Sequence, residues 1–157
     1  MDPLTELAHE LGLVVIEDAA EALLSKQNGR YLGTLARAGC FSFSPNKTIT
    51  TGQGGLVVTN DDSLVVRLRE LKDQGRPVRG TGGNDVHAVI GYNFKLTNMQ
   101  AAVGLAQLNK IEARAEHLRN IYRWYRAGLA GMPKDKATRG EGDEGLSLIH
   151  ISEPTRL

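Results

Sequence analysis

Lys47 and Asp18 are the two side chains whose types and positions best suit covalent chemistry. Lys47 lies between a short apolar run, residues 41–43, and a glycine-rich loop, residues 52–55. Asp18 ends another apolar run, which begins at Leu13. An amine and a carboxylate, each at the end of a strand, suit pyridoxal phosphate, because this cofactor needs a lysine for its aldehyde and an acid for its ring nitrogen.

The elements that must position these side chains follow an α/β pattern. Residues 13–16 form a continuous apolar run, which is typical of a strand covered on both faces of a parallel sheet. Residues 39–43 and 56–59 predict two more short strands. Strands that alternate with helices predict an α/β layer fold with a mostly parallel sheet flanked by helices.

Helix signals surround these strands. Asp2 is predicted to cap a first helix that has Pro3 at its first position and ends at Gly12. A second helix is predicted from the caps at residues 60–62 to Lys72. The polar, glycine-rich residues 75–83 predict a mobile surface loop.

A long helix is predicted to follow the capping box formed by Thr97 and Gln100, and to run to about residue 129. Tyr122, Trp124 and Tyr125 lie in its second half, and we interpret these aromatic side chains as packing residues.

The composition excludes several classes of function. The 157 residues carry a net charge of +1, which favours neither nucleic acid nor an anionic membrane. No apolar run approaches the roughly 18 residues of a membrane span, and the first residues do not predict a secretory signal. Cys40 is the one cysteine, and His9, His87, His117 and His150 are scattered, so no metal site is predicted. A cytoplasmic protein is expected.

Three blocks of the sequence resemble the DegT/StrS family of sugar-nucleotide aminotransferases, which are fold type I enzymes that use pyridoxal 5'-phosphate. The blocks are residues 15–22, 41–55 and 91–102. Their order and spacing agree with the family, and the resemblance covers about residues 1–129. It implies a partial fold type I large domain followed by a long helix.

The resemblance also implies a role for five residues. Lys47 takes the position of the lysine that bonds to the cofactor's aldehyde and then acts as general acid and base. Asp18 matches the partner of the pyridine nitrogen, and Ser42 matches a hydroxyl that binds the phosphate. Asn93 matches a position that reaches the phosphate of a neighbouring subunit, which implies a homodimer. Glu21 falls near the cofactor's phenolic oxygen, where an acid resembles the perosamine-synthase-like branch.

Each position also has an ordinary structural interpretation. Lys47 could be a solvated surface lysine, and Asp18 could cap a helix that starts at Ala19. Ser42 could lie on the polar face of a strand, and Asn93 could be a turn residue.

Two residues depart from the family pattern. Gln53 replaces the glutamate that is common in the glycine-rich loop, and Leu24 stands where a glycine is usual. Neither change removes the amine of Lys47.

By the same resemblance, the intact protein is an aminotransferase that converts a nucleotide-linked keto-sugar to an amino-sugar, with glutamate as the amino donor. Members that dehydrate sugars carry histidine at the lysine position, so Lys47 favours transamination. Two alternatives remain open: a non-catalytic truncated paralogue that serves as a binding or dimerisation module, and a phosphate-binding α/β protein unrelated to pyridoxal phosphate.

The sequence divides into three parts. Residues 1–130 are predicted to be a partial transferase large domain, and residues 131–145 a polar linker. Residues 146–157 resemble the translation of a sequencing-library adapter, the alternative being a natural short strand at residues 148–151. The resemblance does not extend to the family's N-terminal part and small domain, so we expect the isolated chain to be inactive and poorly soluble.

Overall fold

The computed structural model describes residues 1–77 and 85–130. These residues form four α-helices and five β-strands. In chain order they are α1 (Asp2–Glu10), β1 (Ile16–Asp18), β2 (Lys26–Gln27), β3 (Arg30–Tyr31), β4 (Ala38–Ser42), β5 (Gly55–Val58), α2 (Asp62–Lys72), α3 (Asn98–Leu108) and α4 (Ile111–Gly128). The polar linker and the terminal tail predicted from the sequence lie outside the described residues, as does most of the loop predicted at residues 75–83.

The main sheet has the strand order β1-β4-β5. Strand β1 pairs with β4 in parallel, with Asp18 opposite Cys40, whereas β4 pairs with β5 in antiparallel orientation, with Ser42 opposite Gly55. The α/β character predicted from the sequence is therefore confirmed, and the described part of the sheet is mixed. None of the described helices is long and apolar enough to span a membrane.

Strand β1 begins later than predicted, at Ile16 rather than at Leu13. The apolar run in front of it is not covered on both faces, because the side chains of Leu13 and Val14 are about 60% exposed (62% and 59%). The described helices leave this part of the sheet open. The buried apolar residues are few and mostly small: Ala8, Ala19, Ala38, Ile49 and Ala115.

A β-hairpin that the sequence analysis missed lies between β1 and β4. Strands β2 and β3 pair in antiparallel orientation, with Gln27 opposite Arg30. Asn28 and Gly29 form the connection, and both have positive φ angles, 51° and 78°. An Asn-Gly pair with two positive φ angles is typical of a two-residue hairpin turn, so this dipeptide was the available signal.

The helix starts were predicted with mixed success. Asp61 caps α2 as expected, since its carboxylate accepts a hydrogen bond from the Leu64 N–H at 3.0 Å. The prediction for α1 was wrong by one residue: Met1 is the N-cap, and Asp2 is the first helical residue. The Asp2 carboxylate instead accepts a hydrogen bond from the Asn28 side chain at 3.2 Å.

The long helix predicted after residue 97 is two helices. The capping box of Thr97 and Gln100 is present, but α3 ends at Leu108 and α4 begins at Ile111. The N–H of Lys110 bonds to the carbonyl of Gln107 in a tightened last turn, which interrupts the regular helical hydrogen bonds. The packing predicted for the aromatic residues of α4 was wrong for two of them, because Trp124 and Tyr125 are exposed.

Candidate functional site

The site is built at the edge of the sheet where β1 and β4 both end. Because these strands are parallel, Asp18 and Ser42 lie at the same edge. Cys40 is opposite Asp18, and Ser42 follows two residues later on the same strand, so the three side chains share one face of the sheet. This face is open at β1, where Ile16 is exposed.

Lys47 lies in the loop that follows β4. Its N–H donates a hydrogen bond to the Ser44 carbonyl at 3.1 Å, which forms a tight turn. The loop then returns to the strand, since the Thr51 N–H donates to the Phe43 carbonyl at 3.0 Å. The side chain of Lys47 is only 14% exposed, so the surface-lysine interpretation does not describe it.

The Lys47 amine donates a hydrogen bond to the Glu21 carboxylate, and the two groups form an ion pair. Glu21 lies in the segment after β1 and is largely exposed, at 77%. Two of the five residues singled out in the sequence are thus in direct contact, although they lie 26 residues apart in the chain.

Asp18 does not cap a helix. The residues after it form turns, and its carboxylate oxygen Oδ1 accepts a hydrogen bond from the Ala20 N–H at 3.1 Å. The cap interpretation is therefore wrong, because helical structure is absent from residues 19–25. The short turn leaves the exposed carboxylate at the sheet edge, where an α/β sheet places its ligand groups.

Ser42 forms a pair with Ser44. The two hydroxyl oxygens are 3.1 Å apart, and the Ser44 N–H donates to the Ser42 hydroxyl at 3.3 Å. Hydroxyl and backbone N–H groups are uncharged donors, which suits the binding of an anion such as a phosphate.

Asn93 lies apart from the other four residues in its described contacts. It forms an isolated bridge with Asp73 at the end of α2, and its neighbours Tyr92 and Phe94 stack with ring centroids 5.0 Å apart. Its side chain is exposed. The geometry within one chain therefore does not bring Asn93 to Lys47, and its predicted role toward a neighbouring subunit stays a prediction.

Charged groups fix the segment that carries Asn93. The Lys95 ammonium donates to the Asp73 carboxylate at 2.6 Å, which lowers the pKa of Asp73 below its usual value. Arg76 bonds to Asp85 at 2.9 Å and likewise lowers the pKa of that carboxyl group. Both carboxylates are therefore ionised at neutral pH.

Glu17 is a residue near the site that the sequence analysis missed. Its buried carboxylate accepts three backbone hydrogen bonds, from the N–H groups of Gly33 at 2.7 Å, Leu35 at 2.5 Å and Ala36 at 2.8 Å. Because neighbouring side chains of a strand point to opposite faces, Glu17 anchors the segment before β4 while Asp18 faces the open side. The alternation of the two acids was the only signal for this arrangement.

Comparison with known proteins assigns the fold. Residues 1–152 match the DegT/DnrJ/EryC1/StrS aminotransferase family. The chain is 47% identical over 126 residues to the GDP-perosamine synthase of Escherichia coli O157:H7, covering 78% of this chain and 34% of that protein. It is 40% identical over 129 residues to EpsN of Bacillus subtilis, named provisionally as a pyridoxal phosphate-dependent aminotransferase, covering 82% of this chain and 32% of that one.

Among solved structures, the chain is similar to Helicobacter pylori PseC, an aminotransferase involved in the biosynthesis of pseudoaminic acid. The TM-score is 0.76 at 30% identity, over 82% of this chain and 34% of that one. The fold and the lysine-bearing loop define the chain as part of an α/β domain of the fold type I class. The chain belongs to the DegT/DnrJ/EryC1/StrS aminotransferase family, and it spans about a third of the length of the relatives it matches.

Proposed function

We propose that this chain is part of an aminotransferase that uses pyridoxal 5'-phosphate, and that Lys47 bonds to the cofactor's aldehyde. One observation carries the proposal. The Lys47 amine, mostly buried and held by Glu21, belongs to the loop that leaves the same sheet edge at which Asp18 and Ser42 end. The provisional name of the Bacillus subtilis relative supports the choice of cofactor.

The groups at this edge fit the parts of the cofactor. An amine suits an aldehyde, the Asp18 carboxylate suits a protonated ring nitrogen, and the Ser42 hydroxyl suits a phosphate. Asn93 of a second subunit would add a further phosphate contact and would make the intact enzyme a homodimer. When bound, pyridoxal phosphate supplies an electron-accepting ring that stabilises the charge left on a substrate carbon after proton loss.

Lys47 would carry the proton transfer. A lysine amine is a nucleophile and a base only in its neutral form. In this structure the amine is paired with the Glu21 carboxylate, so it must leave this ion pair before it reacts. Released, its Nζ atom would take a proton from the substrate carbon and return it at the next step, as a general acid and base.

The substrate we propose is a nucleotide-linked keto-sugar, with glutamate as the amino donor and an amino-sugar as the product. The names of the relatives, a GDP-perosamine synthase and an enzyme of pseudoaminic acid biosynthesis, support this class of substrate. A cytoplasmic location is proposed with it.

Trapping of the cofactor tests the proposal. The chain is incubated with pyridoxal phosphate, reduced with borohydride and digested, and the modified lysine is located by mass spectrometry. We expect the adduct at Lys47, its loss in Lys47→Ala, and its retention in Lys110→Ala, where an exposed lysine is removed. An adduct spread over surface lysines, or unchanged in Lys47→Ala, would overturn the proposal.

A further inference from the structure

Gln107 of α3 holds the loop that follows Lys47 with both ends of its carboxamide. Its Oε1 atom accepts a hydrogen bond from the Thr50 N–H at 3.1 Å, and its Nε2 atom donates to the Thr50 carbonyl at 2.6 Å. One side chain thus satisfies both backbone groups of one residue, as a neighbouring strand would. The two residues lie 57 positions apart, so the contact joins separate elements of the fold.

Gln100 and Arg114 bond to the same loop on either side of Thr50. Gln100 lies one heptad before Gln107 in α3, so the two side chains share a similar side of that helix, whereas Arg114 lies in the first turn of α4. The Gln100 amide donates to the Gln53 carbonyl at 3.3 Å, and the Arg114 guanidinium donates to the Thr48 carbonyl at 3.2 Å. We call Gln100, Gln107 and Arg114 the polar clamp.

The loop is also fixed on its other side. The Thr50 hydroxyl donates to the Phe43 carbonyl at 3.0 Å, and the side chains of Ile49 and Thr51 are buried. Lys47 therefore lies between two anchored points, the Ser44 carbonyl before it and the Thr48 carbonyl after it. The polar clamp supplies the second of these points.

We propose that Gln107 and its two flanking clamp residues are positioning residues for Lys47, which aim the amine at the sheet edge that bears Asp18. This inference rests on the proposed function. A lysine side chain has many rotamers, so its amine can be directed only if its backbone is held. Small displacements of a reacting group lower rates strongly, because catalysis depends on pre-set geometry.

The test compares Gln107→Leu with Asn109→Leu in the full chain at micromolar concentration, after circular dichroism has confirmed equal helical content. Asn109 is the exposed C-cap of α3, so its substitution makes a similar change of side chain two residues away. Two quantities are measured: hydrogen exchange of the amides of residues 48–52, and the rate of borohydride-trapped adduct formation at Lys47 with pyridoxal phosphate.

We expect Gln107→Leu to speed exchange of the loop amides by about tenfold, because two hydrogen bonds are lost. The adduct at Lys47 should form about tenfold more slowly, while Asn109→Leu changes either quantity less than about twofold. Faster exchange with an unchanged adduct rate would overturn the positioning role, and unchanged exchange would overturn the clamp itself. If the unsubstituted chain forms no adduct at Lys47, the proposed function fails, whereas exchange still decides whether the clamp exists.

Gln107→Glu is a conservative substitution whose protonation should restore the contact with Thr50. A carboxylate accepts the Thr50 N–H bond but cannot donate to the Thr50 carbonyl, whereas a protonated carboxyl group can do both. We expect loop protection, corrected for intrinsic exchange, to be reduced at neutral pH, where the Thr50 carbonyl loses its donor, and to recover as the pH falls through the pKa of the new side chain. Equal protection at both pH values would contradict the paired contact.

Discussion

Glu21 places a negative charge beside the Lys47 amine, and this charge opposes the reaction proposed for Lys47. An amine held by a carboxylate must leave that partner before it can attack an aldehyde. Because Glu21 is largely exposed, the pair belongs to the class of ion pairs whose stabilisation is small. We therefore expect Glu21 to slow the proposed reaction of Lys47 without blocking it.

Glu21→Gln should raise the rate of adduct formation at Lys47 by up to about fivefold. The substitution removes the negative charge that pairs with the Lys47 amine but keeps the size and shape of the side chain. The measurement is the rate at which the borohydride-trapped adduct forms at Lys47, compared at one fixed pH. Glu112→Gln, on the exposed surface of α4, is the control. A slower reaction in Glu21→Gln would instead indicate that the carboxylate assists the amine.

Leu24, which departs from the family pattern, has a strained backbone conformation. This residue, which stands where a glycine is usual in the family, has a φ angle of 69°. Leucine in this left-handed region costs roughly 1–2 kcal/mol. The sequence comparison indicated an unusual position, and only the backbone geometry shows why the glycine is preferred there.

Leu24→Gly should therefore stabilise the fold by up to about 1 kcal/mol, because glycine adopts a positive φ angle without backbone strain. The loss of the half-buried leucine side chain offsets part of this gain. Urea unfolding followed by circular dichroism measures the change. Leu23→Gly is the matched control, because its φ angle is not positive, and it should destabilise the fold. Stabilisation by both substitutions, or by neither, would contradict the strain at Leu24.

At the scale of elements, local signals predicted what lay close together in the chain. The cap at Asp61 and the capping box at Thr97 follow from neighbouring residues, and both are present. The contacts from Glu17 to residues 33–36, and from Gln107 to Thr50, join distant segments, so no local pattern contains them. The same limit applies to the ion pair of Lys47 and Glu21, whose residue types were noted but whose contact was not.

Glu17 joins β1 to the segment that follows the β2–β3 hairpin. Its two oxygens share three donors: Oε2 takes the Gly33 N–H, and Oε1 takes those of Leu35 and Ala36. A glutamine has only one acceptor oxygen. In Glu17→Gln the side-chain NH2 group would therefore take the place of one carboxylate oxygen, and the backbone N–H that bonded to that oxygen would lose its acceptor. Sheet β1–β4 would lose an anchor on the face opposite Asp18.

We expect Glu17→Gln to lower the free energy of unfolding by about 2–3 kcal/mol, the range for a buried donor that loses a charged partner. Urea unfolding gives this value, and Glu10→Gln, an exposed residue at the end of α1, should change it by less than about 0.5 kcal/mol. If Glu17→Gln is as harmless as its control, the carboxylate does not anchor the segment.

At the scale of the whole molecule, the predicted fold class was correct, whereas the prediction that β1 is covered on both faces was wrong for the described residues. Leu4 and Leu7 of α1 and its C-cap residue Leu11 are exposed to solvent, and the exposed Leu13 and Val14 follow them. An apolar run indicates what a strand can bury, but not which segment covers it. The matched part of this chain covers only about a third of the length of the relatives.

We expect this exposed apolar surface to make the chain associate as its concentration rises above micromolar. We also expect the chain by itself to turn over no keto-sugar. Contiguous exposed apolar side chains favour association, because contact removes them from water. Light scattering coupled to size exclusion measures the association. Leu13→Lys should reduce it, whereas Val86→Lys, which changes another exposed apolar residue outside the run, should not. A monodisperse chain at high concentration would contradict the predicted association, and turnover of a keto-sugar with glutamate and pyridoxal phosphate would contradict the predicted inactivity.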